Sequence, residues 1–265
     1  MQVAAVARVI RVRAYCAAPL VAFVAVWQFL SILLGQDILP RPAEVVQLWA
    51  THALDDAVIR SQGGGNYGFL PHAALTMARV AGGVAIGTAT GIVLAGVLFQ
   101  WSSWRRGIEP LLESLRVIPP LILIPIVLVL LGPTEPAQVV VCAVYAAMSM
   151  MVHTLNALRN VPGSYWVIAH MHHASRWQTL QTVALPAVLP ELLGGIRISL
   201  ALGLGIVIVS EYLGAPDGIG RVLKFTLSFA RVDLLLVGLV WAALIGVLFD
   251  QVISQALMRR NRWRG

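Results

Sequence analysis

The sequence predicts an all-α, polytopic membrane protein with six transmembrane helices, and three observations lead there. Of 265 residues 58% are hydrophobic and only 12% charged, with a mean hydropathy of +0.81, outside the composition of soluble domains. Several apolar stretches reach the roughly 20 residues needed to cross a hydrocarbon core about 30 Å thick. The surplus of cations, a formal charge of +7, is almost entirely arginine and collects at the chain ends and between apolar runs. That distribution suits orientation in a lipid bilayer and not contact with nucleic acid.

Taken in order, residues 1–13 form a cytoplasmic segment carrying Arg8, Arg11 and Arg13. The first span, 14–34, has no charge and no small-residue cleavage site after it, so it reads as a retained helix and not a signal peptide. The longest loop follows, with Asp37, Pro40, Pro42, Asp55, Asp56 and Gly63-Gly64-Gly65. Further spans are expected at 72–99, 109–131, 136–155, 191–213 and 232–256, which makes 14–256 one membrane domain. A basic tail, 257–265, contains Arg259, Arg260, Arg262 and Arg264.

Six crossings place both termini on one side. That side also collects Arg105, Arg106, Arg159 and Arg176, against Arg41, Arg60, Arg221, Lys224 and Arg231 opposite. The excess of cations marks the cytoplasmic face. Both termini are therefore expected inside, with the glycine-rich loop and residues 215–231 outside.

Gly83, Gly87, Gly91 and Ala95 recur every fourth residue in the second span, and Gly195, Ser199 and Gly203 do so in the fifth. Such ridges let backbones approach closely, and these two spans are expected to pack on each other. In the third span Pro119, Pro120 and Pro125 predict a broken helix, either beside a water-filled pathway or buried in the bundle. Charges within spans are costly. Arg79, Glu113, Arg197 and Asp250 lie near span ends and are expected to snorkel to the interface. Arg116 and Glu211 lie deeper and join the three prolines as pathway or gating candidates, with internal ion pairing as the competing reading. Cys16 and Cys142 read as buried thiols.

Residues 158–190, between the fourth and fifth spans, are too long for a turn. Asn160, Pro162 and Gly163 break the chain, residues 164–173 form a short helix, and Pro186 and Pro190 brace the entry to the next span. A short helix braced in this way is what mechanical contact with a cytosolic partner requires. His170 and His173 share a helical face but lack cysteine or carboxylate neighbours, so no metal site is expected; His170, His172 and His173 are solvated or partner-facing. The chain has no phosphate-binding loop, and its one lysine, Lys224, lies in an outward loop. No acid, base and nucleophile gather anywhere, so the chain itself is not expected to catalyse a reaction. A stand-alone secondary transporter or channel fits the composition but leaves this loop unexplained.

The same segment resembles the permease subunits of bacterial ABC importers, in particular their nitrate, sulfonate and taurine branch. The family loop carries Glu-Ala-Ala, three residues, Gly, nine residues, then Ile-x-Leu-Pro. Aligned on Val183-x-Leu185-Pro186, the glycine position falls on His173 and the Glu-Ala-Ala positions on Val167, Ile168 and Ala169. The first half of the motif departs, while Ala174-Ser175-Arg176-Trp177-Gln178-Thr179 and Leu185-Pro186-Ala187-Val188-Leu189-Pro190 keep the branch's wording. Further similarity lies in Leu39-Pro40-Arg41-Pro42-Ala43-Glu44-Val45, His72 to Arg79, Leu115-Arg116-Val117-Ile118-Pro119-Pro120 with Ile124-Pro125, and Ser210-Glu211.

The resemblance implies a type I importer permease in the bacterial inner membrane. Tyr165, Trp166, Ala169, His170, His173, Ala174, Ser175 and Arg176 would couple to an ATPase subunit that binds ATP and Mg; this chain would bind no cofactor. A second permease, identical or not, and an extracytoplasmic solute-binding protein complete the assembly, and the solute is expected to be small and anionic.

Overall fold

The computed structural model describes residues 2–61, 63–65, 67–101, 107–108, 110, 114 and 119–261, with side chains described from residue 18 to 255 except at 120 and 176. Arg116, Glu113, Arg105 and Arg106 lie outside the described residues, as do the side chains of Pro120, Arg176, Cys16 and the terminal arginines. The described elements are all helical: α1 Gln2–Leu34, α2 Pro42–Thr51, α3 Ala57–Ser61, α4 Phe69–Gln100, α5 Pro120–Leu131, α6 Glu135–Arg159, α7 Gly163–Met171, α8 Arg176–Thr179, a π-helical turn Leu180–Ala184, α9 Leu185–Gly214, α10 Ile219–Ser228 and α11 Val232–Asn261.

Four stretches are long and apolar enough to cross a membrane: Phe69–Gln100, Glu135–Arg159, Trp177–Gly214 and Val232–Gln255. Two shorter apolar helices, Ala18–Leu34 and Leu121–Leu131, accompany them.

Glycine spacing determines how the centre is packed. Gly83, Gly87 and Gly91 are buried against α6. A Cβ on Gly83 would stand 2.6 Å from Cys142 Cβ, one on Gly87 2.6 Å from Ala146 Cβ, and one on Gly91 2.6 Å from the Ala147 carbonyl oxygen. No side chain fits there, so the two backbones touch. The glycine ridge of α4 thus seats α6, and the expected meeting of the second and fifth spans lies beside it, where Gly203 of α9 reaches Val80 and Val84 of α4. Gly195 of α9 faces Met150 and His153 of α6, and Gly203 faces Cys142 together with Val84 of α4. The ridge on α9 therefore rides over both helices.

Residues 83, 87 and 91 meet α6 in ascending order, so α4 and α6 run parallel. Between Gln100 and Glu135 the chain must return from one end of the bundle to the other, and α5 is the described part of that return. Pro119 is extended (φ −59°, ψ 128°) and Pro120 opens α5. Proline at a helix start loses no intrahelical bond and brings φ already set. The expected break in this region is present, placed at Pro119, with Pro125 inside the helix that follows. Ile124 packs with Val141 and Ile206, while Val129 and Leu130 stay exposed, as lipid or another chain would require.

The fifth apolar helix starts earlier than expected. α8, the π turn and α9 join without interruption, so Pro186 and Pro190 stand within a helix and do not brace a loop. In an α-helix a proline ring collides with the carbonyl four residues back. The π turn immediately before Leu185, where the Leu185 N–H donates to the Leu180 carbonyl, shifts that carbonyl register and opens the turn.

Candidate functional site

Two clusters lie at opposite ends of the bundle. At the end where α4, α6 and α11 begin and α9 finishes, Arg79 is the hub. Its Nη1 donates to Glu211 Oε1 at 2.7 Å and to the Asp217 carbonyl at 3.0 Å, and its Nε donates to Glu135 Oε2 at 2.9 Å. Nη2 closes further ion pairs with Glu135 and the Asp217 carboxylate. The Arg79 and Glu211 side chains are 3% and 0% exposed. Arg79 therefore does not snorkel, which corrects the expectation from its place near the span end. Carboxylates from α6, α9 and the loop beyond α9 converge on it, and the fixed donor fork of arginine suits that task.

Glu211 is satisfied on every side. The Thr76 hydroxyl donates to its carboxylate at 2.9 Å and accepts the Ile219 N–H at 3.0 Å, and the Gly220 N–H donates to Oε2 at 3.0 Å. His72 Nδ1 accepts the Gly218 N–H at 2.9 Å. Glycine is needed at 218, where φ is 101° and a Cβ would overlap the Glu211 carboxyl group. The start of α10 is thus fastened to α4 and α9 by backbone donors, which is how a helix N-terminus holds an anion. Of the sequence-based candidates at this end, Glu211 is an ion-pair partner. Its companions Glu135, Asp217, Thr76 and His72 were not singled out as partners, and their sequence separation explains why; Arg79 was singled out, but as an interfacial residue.

Arg197 and Asp250, by contrast, pair with each other at 2.5 Å, both about half exposed.

At the opposite end lies the segment between α6 and α9. α7 ends in a turn where His173 takes φ 50°, the His173 N–H donates to the His170 carbonyl at 3.0 Å, and the Ala174 N–H donates to the Ala169 carbonyl at 3.1 Å. These two bonds form a Schellman cap, whose left-handed residue is usually glycine. His173 occupies the position where the related loops carry glycine, and it adopts the glycine conformation. Ser175 then starts α8: its Oγ accepts the Gln178 N–H at 3.2 Å, and Gln178 Oε1 accepts the Ser175 N–H at 2.9 Å. This reciprocal box is legible in sequence as Ser-x-x-Gln.

α7 is anchored by Trp166, which stacks on Phe99 at 5.4 Å and packs on the cluster of Leu158, Leu180 and Val188, and its Ala169 is buried. Ala169 and Trp166 therefore point into the bundle and do not project from it. Tyr165, His170, His173 and Ser175 are exposed, and Ala174 is half-buried. The loop also presents Val167, Ile168 and Met171, the last 74% exposed, together with Trp177. Val167 and Ile168 stand at the aligned Glu-Ala-Ala positions, but the sequence alone did not mark them, with Met171, as an exposed apolar row.

A bundle of apolar helices with a short helix held against one end and a buried ion cluster at the other defines a membrane permease component. Residues 87–261 match the family described as binding-protein-dependent transport system inner membrane component, and the chain belongs to that family. Among curated relatives, the nitrate import permease protein NrtB of Synechococcus elongatus is 29% identical over 75% of this chain and 71% of its own. The bicarbonate transport system permease protein CmpB of the same species is 27% identical, covering 89% and 85%, and the putative aliphatic sulfonates transport permease protein SsuC of Bacillus subtilis is 25% identical, covering 91% and 84%. Among solved structures, a bacterial ABC transporter involved in alginate import superposes with a TM-score of 0.64 at 13% identity, covering 98% of this chain and 99% of that one. The MetNI methionine ABC transporter in inward-facing form gives 0.57 at 22% identity, covering 71% and 95%. The fold is the one these permeases share.

Proposed function

We propose that this chain is one of two permeases, identical or not, that form the translocation pathway of an ATP-driven importer in a bacterial inner membrane. α1 and the return segment ending in α5 complete six crossings, with both termini cytoplasmic. The segment 158–190 projects to the cytoplasm, and its exposed row on α7 docks an ATPase subunit that carries ATP and Mg. An extracytoplasmic solute-binding protein delivers the solute to the Arg79 end. Relatives named for nitrate, bicarbonate and aliphatic sulfonates support a small anionic solute.

The observation that carries this reading is the α7 segment itself. A helix of nine residues, capped at its end and stacked on the bundle, presents Val167, Ile168 and Met171 outward with no partner within the chain. An apolar row of this kind beyond the membrane spans calls for a second protein. The runner-up, a transporter driven by an ion gradient without an ATPase, leaves the row uncovered.

The test is reconstitution of the complete transporter in vesicles. Uptake should require internal ATP and the solute-binding protein, and Ile168→Asp should abolish uptake and ATPase recruitment while the permease remains folded. Uptake by this chain alone, driven by a proton or sodium gradient, would refute the importer reading.

A further inference from the structure

Beside the Arg79 hub, a cleft of about 320 Å³ opens where α9 ends, lined by Pro133, Tyr212, Ala215, Pro216, Arg221 and Lys224. The two cations are three residues apart on α10, so they occupy one face of it. That face is opposite the buried Ile219, Val222 and Leu223.

Arg221 is held in place without an acid. Its Nε donates to the Gly63 carbonyl at 3.1 Å, its Nη1 donates to the Ala215 carbonyl at 2.8 Å, and the guanidinium lies over the Phe225 ring at 5.0 Å. Nη2 is left with no acceptor among the described residues. The Lys224 ammonium likewise makes no hydrogen bond or ion pair among them. Carboxylates are close but committed elsewhere. Glu211 reaches the cleft wall, yet its oxygens are taken by Arg79, Thr76 and the Gly220 N–H. Glu135 and Asp217 pair with Arg79.

We propose that the Arg221–Lys224 cleft binds a small monovalent oxyanion of the nitrate, sulfonate or carboxylate kind. Two unneutralised cations on one concave wall repel each other, and an anion between them offsets that repulsion. The planar guanidinium edge matches a trigonal or tetrahedral oxyanion, and the ammonium supplies a point charge beside it. Arg221 is already oriented by two carbonyls and a ring, so little freedom is lost when the anion enters. In the importer this cleft is a waiting station between the solute-binding protein and the pathway. That role rests on the proposed function, whereas binding itself needs no ATP.

Lys224 is the only lysine in the chain, which makes its acylation a site-specific reporter. The full chain in lipid nanodiscs is treated with an amine-reactive acetyl ester, and peptide mass spectrometry reads Lys224. Methanesulfonate or nitrate at millimolar concentration should slow acetylation roughly tenfold, the scale expected for a charge-assisted contact. Arg221→Gln in the same salt should lose that protection, which excludes a simple ionic-strength effect. In the complete transporter Lys224→Gln should raise the half-saturating anion concentration several-fold more than it changes the maximal rate. An unchanged acetylation rate overturns the proposal. So does equal protection in Arg221→Gln, or protection by the solute-binding protein alone with none by the anions. Protection without ATP-driven uptake would sink the importer reading and keep the site; uptake without protection would do the reverse.

Discussion

At one end of the bundle, α4, α6, α9 and the start of α10 converge on a single buried guanidinium and the carboxylates it satisfies. At the other end α7 rests on Phe99, Leu158 and Leu180 through aromatic and aliphatic contact and leaves Ile168 and Met171 uncovered. The first junction is directional, since each hydrogen bond has one geometry. The second slides more freely, because apolar contact has no preferred angle. A machine that receives force at one end and must hold a defined shape at the other would place its contacts in this way.

The largest blow to that contrast comes from the hub. Arg79→Ala or Glu211→Ala leaves a buried charge without its partner and should cost about 3–5 kcal/mol. Thermal unfolding in nanodiscs reads it, and the double variant should lose less than the sum of the two. If Val167→Asp on α7 lowered the melting temperature equally, the two ends would not differ as described. Next in size, Gly87→Leu forces α4 away from Ala146 and should cost roughly 1–3 kcal/mol, the range for overpacking. Because both ends hang on that seam, cysteine cross-linking between α4 and α6 should weaken at each end together.

Smaller effects sharpen the picture at the α7 end. Ser175→Ala removes the cap of α8 and should cost about 1 kcal/mol, seen as faster amide exchange in α8 with the hub unaffected. His173→Gly should act in the other direction. Relief of a left-handed non-glycine residue outweighs the added freedom of the unfolded chain, for a gain of roughly 0.5–1 kcal/mol. A loss of stability in His173→Gly would mean that the imidazole itself holds the turn.

Much of this was legible in the residues. The four long spans follow from apolar length, and the glycine ridge on α4 announces a close approach. It does not say to which helix, because a ridge has no memory of its partner: α6 takes the glycines, and α9 meets α4 beside them at Val80 and Val84. Glu211 stood out as a deep charge, but Arg79 was taken for an interfacial residue. Its acids lie 56 and 132 residues away, and nothing local marks them as neighbours. Pro186 and Pro190 were taken as loop braces because α-helical rules exclude them, and the π turn that admits Pro186 has no compositional sign. The Schellman turn at His173 was accessible through the related loops, which carry glycine there, and the Ser175-x-x-Gln178 box could have been read directly.

The uninterrupted helix from Trp177 to Gly214 has a consequence in leverage. Its 38 residues make a rod about 57 Å long at 1.5 Å per residue, so a tilt of about 5° at the Trp177 end carries the far tip some 5 Å. That stroke is longer than any bond Glu211 makes to Arg79, Thr76 or Gly220. A tilt of a few degrees at one end of the rod therefore moves the other end by more than the reach of those bonds. The π turn and Pro190, both in the half of the rod nearer Trp177, are where it can flex without shortening its reach.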